Sequence, residues 1–124
     1  MSATEPPDPL QAEVEGRTGI TYLLTTNDNG SPHAAIVEPS WERGRLRADV
    51  GGRSEHNIDH QPLVSFVWPP EEPGGYTLFV DADAVVLMDG SISARPVRGV
   101  LHRPGGPSTP GAACASDCIP LFPS

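Results

Sequence analysis

The sequence predicts one small, mainly β domain, folded as a closed or split antiparallel barrel with one or two short helices. Three observations predict it. The chain has 124 residues, enough for one hydrophobic core and too few for two. Between residues 20 and 102, about seven short runs of β-branched and aromatic residues are separated by turn signals. Only two stretches show the residue spacing of a helix.

Composition narrows the range of partners. The net charge is −8 and the pI is near 4.7, which argues against nucleic acid and anionic membranes as partners. The eight basic residues are all arginine, so any anion site must use Arg, His or backbone amides. Because the sequence shows neither a long apolar run nor a signal peptide, we expect a cytoplasmic protein.

The chain divides into three predicted segments. Residues 1–16 form a polar leader and a short helix, residues 17–103 the barrel domain, and residues 104–124 a flexible tail rich in Pro and Gly. The helix is predicted from Asp8 as N-cap, with Pro9 at the first helical position.

The strands follow in order from their patterns. Asn29-Gly30 separates two β-branched runs and predicts a hairpin. Strict alternation in residues 45–50 predicts a strand with one face in the core. Residues 63–68 are nearly all apolar, which predicts a central strand, and the prolines that follow predict a surface loop. Further strands are predicted at residues 76–81, 82–87 and 92–102.

The stretch from Gly51 to Pro62 interrupts the β pattern and is the candidate functional site. Gly51 and Gly52 leave backbone amides accessible, Arg53 supplies a planar charge, and Ser54 is predicted to cap the following helix. A helix N-terminus beside a guanidinium suits a phosphate or a carboxylate. The alternative is an ordinary connector whose arginine points into water.

A metal site is a competing interpretation. His56 and His60 stand four residues apart on one helical face, and Cys114 and Cys118 would complete a tetrahedral Cys₂His₂ set. Asn57 stands where a metalloprotease motif has its glutamate, so a zinc ion bound there would be structural.

Three segments carry a family resemblance. They are Tyr22-Leu-Leu-Thr-Thr-Asn-Asp-Asn-Gly-Ser-Pro-His33, Gly52-Arg-Ser-Glu-His-Asn57 followed by Pro62, and Trp68-Pro-Pro-Glu-Glu-Pro-Gly-Gly-Tyr76. In this order they resemble the pyridoxamine 5′-phosphate oxidase-like family, over residues 18–103, and specifically its small actinobacterial members. The resemblance implies a six-stranded FMN-binding split barrel, a homodimer, and FMN or the deazaflavin F420 bound near the dimer interface.

The resemblance also implies which residues hold the cofactor. The strand containing His33, Ile36 and Val37 would lie along the ring, and Asn57 would support the turn at the other end. The phosphate end would meet Val50, Gly51, Gly52, Arg53 and Ser54. Many relatives have a second basic residue where this chain has Ser54, so Arg47 or a partner-chain group would have to replace it. No catalytic residue is identified.

The resemblance therefore implies a flavoprotein oxidoreductase that uses FMN or F420 on an unidentified small molecule, with F420 preferred because Ser54 weakens the phosphate site. One alternative is a non-catalytic split-barrel dimer or cofactor carrier. A second is a small zinc-stabilised β-domain.

Overall fold

The computed structural model describes residues 8–104 and 116–122. Within these residues the chain forms two helices and eight strands. They are α1 (Pro9–Gly16), β1 (Thr21–Thr26), β2 (Pro32–Val37), β3 (Ser40–Glu42), β4 (Arg45–Asp49), α2 (Gly52–His60), β5 (Leu63–Trp68), β6 (Thr77–Val86), β7 (Ser91–Pro104) and β8 (Ser116–Phe122). Most of the predicted leader and most of the predicted tail, including Cys114, lie outside the described residues. Neither described helix has the length and apolarity needed to cross a membrane.

The strands form one curled antiparallel sheet, which confirms the predicted mainly β split barrel. Its order is β2-β1-β5-β6-β7-β4-β3. Strand β7 has 14 residues, and while one edge pairs with β6, the other pairs first with β4 and then with β8. A bulge between Asp81 and Ala82 lets β6 and β7 bend together. This long bent pair wraps the sheet into a half-barrel.

The core lies between the inner face of the sheet and the two helices. From α1 it takes Leu10 and Val14, and the predicted cap is present because Asp8 accepts a hydrogen bond from the Leu10 amide at 2.8 Å. Helix α2 contributes Ile58 and packs against β1 and β6. The sheet contributes Leu23, Val37, Leu46, Ala48, Val64, Phe66, Trp68, Leu78, Val80, Ala82, Ala84, Ile92, Ala94 and Leu101.

Residues 63–68 form the predicted central strand, which alternates in burial and leaves Leu63 exposed, because the sheet has helices on one face only. Two other features of the strands differ from the predictions. Residues 76–81 and 82–87 were predicted as two strands, whereas β6 runs through the bulge as one. Strand β3 was not predicted. It is short, and its turn to β4 depends on positive φ angles at Arg43 and Gly44.

The C-terminal segment is also more ordered than predicted. Residues 116–122 form β8 instead of a flexible extension, because the second half of β7 offers an unpaired edge. Side chains reinforce the pairing. The Tyr76 hydroxyl donates to Asp117 Oδ2 at 2.6 Å, and Arg103 Nη2 lies 3.0 Å from the same oxygen. The division into residues 1–16, 17–103 and 104–124 as domain segments stays a prediction.

One buried amide fixes the position of α2. Asn57 is fully buried, and its Nδ2 donates to Thr25 Oγ1 at 3.0 Å and to Asn27 Oδ1 at 2.9 Å. The second acceptor belongs to the turn between β1 and β2, where the Asn27 amide bonds the Ser31 carbonyl at 2.8 Å. The two bonds therefore attach the helix both to a strand and to its hairpin turn.

We expect Asn57→Ala to lower the free energy of unfolding by about 2 kcal/mol, because one buried and one partly buried hydrogen bond are lost and the buried Thr25 hydroxyl loses its donor. Asp59→Ala, at an exposed position of the same helix, is the matched control and should change stability by about 0.5 kcal/mol or less. Urea unfolding measures both. Equal stability of the two variants would show that the amide does not hold the helix.

The attachment of β8 should weaken at both extremes of pH. The hydrogen bond between the Tyr76 hydroxyl and Asp117 raises the pKa of Tyr76. The same bond, together with the charge of Arg103, lowers the pKa of Asp117. The contribution of ionised Asp117 to the stability of the β7–β8 pairing is therefore present above the ordinary carboxyl pKa of 3.8 and is lost as the pH falls below it. The Tyr76 contribution is present below the ordinary value of 10.0 and is lost as the pH rises.

Hydrogen-exchange protection factors of the β8 amides test this expectation. They should fall below about pH 4 and above about pH 10, where one partner of the pair changes its charge. At neutral pH, Tyr76→Phe should lower them several-fold, and Tyr22→Phe, a tyrosine on β1, should not. Unchanged β8 protection in Tyr76→Phe would contradict the proposed attachment.

Candidate functional site

The candidate site is built around the start of α2. Gly51 is the N-cap residue, with extended backbone at φ −81° and ψ 172°, and no side chain caps the helix from that position. The prediction that Ser54 caps the helix was wrong. Ser54 lies inside the helix and is buried, because it shares the inward face with Asn57 and Ile58, three and four residues later. The first amides of α2 therefore have no intrahelical partner.

Neither the backbone conformation nor the packing of the chain requires glycine at positions 51 and 52. Neither has a positive φ, and a Cβ added to Gly51 or Gly52 would meet no atom within 4 Å. The fold would therefore accommodate a larger residue at either position. The absence of side chains leaves the backbone amides open to a group from outside the chain.

Arg53 stands at the mouth of an open pocket of about 380 Å³. The pocket is polar and is lined by Asn27, Asp28, Asn29, His33 and Arg53. Arg53 is exposed, and among residues 8–104 and 116–122 it makes no ion pair. The structure thus brings His33 and Arg53, both predicted site residues, to one pocket.

Asp28 is the residue of this pocket that the sequence did not reveal. It is 28 positions from His56, yet His56 Nε2 lies 2.9 Å from its Oδ2. This hydrogen bond, aided by the positive charge of His56, His60 and Arg53, lowers the pKa of Asp28. A carboxylate therefore stays ionised beside Arg53 and offsets its charge. The only sequence signal for it was its place in a turn, which is typical of aspartate.

The predicted residues of β2 do not share one face. Strand residues alternate, and His33 and Val37 pair with the inward-facing Thr25 and Thr21, whereas Ile36 points outward. The Val37 side chain is buried in the core, so only its backbone is available to a ligand. Within the described sheet β2 is an end strand, which leaves one of its edges open.

Of the remaining predicted residues, Val50 packs against the core and Arg47 contacts residues away from the pocket. Val50 packs partly buried against the core directly before Gly51. Arg47, considered as a replacement for the missing second base, donates to Ser91 Oγ at 3.0 Å and lies 3.5 Å from Asp89 Oδ2. Its guanidinium is therefore already occupied at the β4–β7 pairing.

The residues of the predicted zinc site are divided. His56 and His60 are adjacent, with ring centroids 4.4 Å apart. Cys118 lies on β8 and lines a different pocket, together with Phe79 and His102. Cys114 lies outside the described residues. Among the residues that the structure describes, the group completing a cluster with the two histidines is Asp28.

Two mycobacterial proteins are related to this chain in sequence. They are uncharacterized protein Mb0449c of Mycobacterium bovis and uncharacterized protein MT0457 of Mycobacterium tuberculosis. Each is 36% identical over 118 residues, covering 81% of this chain and 83% of the relative. No protein-family model matches the sequence.

Solved structures share its fold. An F420 reductase matches with a TM-score of 0.57 and 18% identity, over 77% of this chain and 98% of its own. A Clostridium acetobutylicum protein related to general stress protein 26, of the pyridoxinephosphate oxidase family, matches at 0.64 with 9% identity, over 90% and 92%. A heme-binding protein of Mycobacterium smegmatis matches at 0.60 with 17% identity, over 95% and 60%.

The sequence relationship and the shared architecture agree with the curled half-barrel described above. The chain therefore belongs to one family with the two mycobacterial proteins, and its fold is the split barrel of the pyridoxamine 5′-phosphate oxidase-like proteins.

Proposed function

We propose that this protein is an oxidoreductase that binds FMN or F420 and acts as a homodimer on a small molecule. The observation that carries the proposal is the exposed Arg53 at the uncapped start of α2, facing a pocket in a cofactor-binding fold. An F420 reductase and a heme-binding protein share this fold, which supports a cofactor as the ligand.

The residues present fit the anionic end of such a cofactor. Helix α2 has nine residues, and its first amides point toward the space in front of Gly51 and Gly52. Arg53 adds a guanidinium, whose fork of donors matches phosphate and carboxylate oxygens. A charge-assisted hydrogen bond contributes about 1.5 to 3 kcal/mol, so Arg53 alone accounts for more than about tenfold in affinity.

The work of this chain would be binding and orientation. A bound flavin or deazaflavin supplies hydride transfer, so the protein needs no acid–base pair of its own. Arg53 and the α2 amides would hold the phosphate end, and the open edge of β2 would run beside the ring. His33 would then lie between the two ends of the cofactor.

Between the two cofactors, F420 is preferred. Asp28 opposes anions near Arg53, and Ser54 takes the place of a second base. Both features weaken a site that depends on one compact phosphate, and they matter less for a ligand with several carboxylates that separate amides can meet. The F420 reductase of the same fold supports this choice.

The dimer is proposed from the outer face of the sheet, the face turned away from the core. By register, this face carries a row of apolar side chains at Ile36, Tyr22, Val67 and Phe79. Ile36 is 65% exposed. Beside the row, Asp81 pairs with Arg98 across the strands at 3.8 Å. An apolar stripe next to charges of both signs suits contact with a second copy of itself.

A specific observation favours a second function. Asp28 and Arg53 are the two charged side chains among the lining residues of the pocket, and they carry opposite signs. A site with balanced charge would hold an anion loosely. This supports a non-catalytic split-barrel dimer or cofactor carrier, and the heme-binding protein of the same fold agrees with a carrier role.

Titration with FMN and with F420, followed by fluorescence, tests the proposal. We expect binding of at least one in the micromolar range, and Arg53→Gln should weaken it about tenfold or more because a charge-assisted contact is lost. The matched control is Arg43→Gln, an exposed arginine in the β3–β4 turn, which should bind as the wild type does.

Gly52→Ala adds a second readout. It should weaken cofactor binding without lowering the unfolding temperature, because its Cβ meets no atom of the chain and would stand where the ligand approaches. Full binding in both Arg53→Gln and Gly52→Ala would remove the phosphate site from α2. Failure of the wild type to bind either cofactor at about 1 mM would contradict the proposal and favour a non-catalytic split-barrel dimer without FMN or F420.

Sedimentation of the purified protein tests the dimer. We expect a dimer in the wild type and a monomer in Ile36→Glu, because a buried, unpaired charge at the interface costs several kcal/mol. Met88→Glu introduces the same charge at a fully exposed position in the β6–β7 turn and should leave the dimer intact. A wild-type monomer at micromolar concentration would contradict the proposed interface.

A further inference from the structure

A group of three metal-ligating side chains stands beside the candidate site. His56 and His60 occupy successive turns of α2, and Asp28 reaches them from the β1–β2 turn. One ligand atom from each of the three lies within 4.8 Å of the other two. His56 Nε2 is 2.9 Å from one carboxylate oxygen of Asp28 and 3.1 Å from the other. The three side chains come from two parts of the chain, the helix and the hairpin turn, and converge at one point.

The hydrogen bonding of His60 prepares it as a ligand. Its Nδ1 lies 2.9 Å from the carbonyl oxygen of His56, and because a carbonyl can only accept, Nδ1 must carry the proton. In the neutral form of the ring, the lone pair of His60 Nε2 is then free to bind a metal. Metal-bound histidines commonly have this arrangement, in which the other ring nitrogen donates to a backbone carbonyl and fixes the tautomer.

We propose that Asp28, His56 and His60 bind a zinc ion. Two imidazole nitrogens and one carboxylate oxygen are a ligand set that suits Zn²⁺ better than Mg²⁺ or Ca²⁺, which prefer oxygen. Three protein ligands leave the fourth tetrahedral position to water, and the exposed side chains allow water to reach it. This set differs from the Cys₂His₂ set considered from the sequence, because it uses Asp28 and no cysteine.

The geometry requires only a small adjustment. Ligand atoms about 2.0 to 2.2 Å from a tetrahedral zinc ion lie roughly 3.3 Å apart. The Asp28–His56 pair, at 2.9 to 3.1 Å, is slightly closer than this because it is hydrogen-bonded. Closing the cluster therefore requires the ion to replace the proton on His56 Nε2 and the His60 ring to move. Asp28 and His60 are exposed residues, and their side chains can rotate without disturbing the core.

The bound ion would join the β1–β2 turn to α2 from outside, on the other side of the contact that Asn57 makes from inside. Folding would then be linked to zinc, since the ion binds the folded chain and not the separated ligands. This proposal does not rest on the proposed cofactor, because it requires neither Arg53 nor the two glycines, although Asp28 lines the Arg53 pocket as well.

Equilibrium dialysis of the tag-free chain against Zn²⁺, with metal analysis, is the decisive experiment. We expect one zinc ion per chain, both in the wild type and in the Cys114→Ser, Cys118→Ser double variant. In that double-variant background, His60→Ala and Asp28→Asn should each lower zinc affinity about tenfold or more, since even an outer-shell change costs that much. His102→Ala, at the histidine of β7, is the matched control and should bind normally.

Thermal unfolding guards against loss of fold. His60→Ala without zinc should melt as the wild type does, and excess zinc should raise the unfolding temperature of the wild type by about 5 °C or more but not that of the variant. No zinc uptake by the wild type at about 1 mM would overturn the proposal. Uptake that disappears with the cysteines, or that persists unchanged in His60→Ala, would overturn it as well.

Discussion

The position of α2, which carries Arg53, His56 and His60, depends on the side-chain amide of Asn57. An amide carries two donor hydrogens, and both are used, one on the Thr25 hydroxyl and one on the Asn27 side chain. Alanine would leave these acceptors unpaired, and aspartate would place a second acceptor against them. The buried Oδ1 of Asn57 has no partner among the described residues, which shows that the donor contacts determine its orientation. Through this one residue the helix is set against the turn that carries Asp28.

The two hairpin turns that join β1 to β2 and β6 to β7 make this dependence clear. Both end in Gly30 or Gly90 at positive φ, followed by a serine whose amide bonds the preceding Asn29 or Asp89. The two turns therefore have the same backbone structure. What distinguishes the first turn is the helix docked beside it, which gives Asp28 charged neighbours, whereas Met88 at the equivalent place of the second turn is fully exposed.

Local signals predicted much of the fold, and long-range pairing accounts for the rest. The Asp8-Pro9 start of α1, the alternation of β4 and the arginine at the head of α2 were readable because each depends on neighbours in sequence. The apolar run of β5 correctly predicted a central strand, but it hid the alternation in burial because the outer face of the sheet is also apolar. Strand β8 and the contact between Asp28 and His56 could not be predicted, since both are created by residues brought together only in the folded chain.

The side chains of β2 point alternately to the two faces of the sheet, and this limits where a ligand can lie against the strand. His33 faces the pocket at α2, whereas Ile36 faces the outer side of the sheet, so a ligand lying flat on either face would contact only one of them. A ring that reaches both must lie along the open edge of the strand. Such a ring would be exposed on its far side in a single copy of the chain. The apolar outer face that begins at Ile36 would bring a second copy to that edge, so cofactor binding and dimer formation would depend on the same strand.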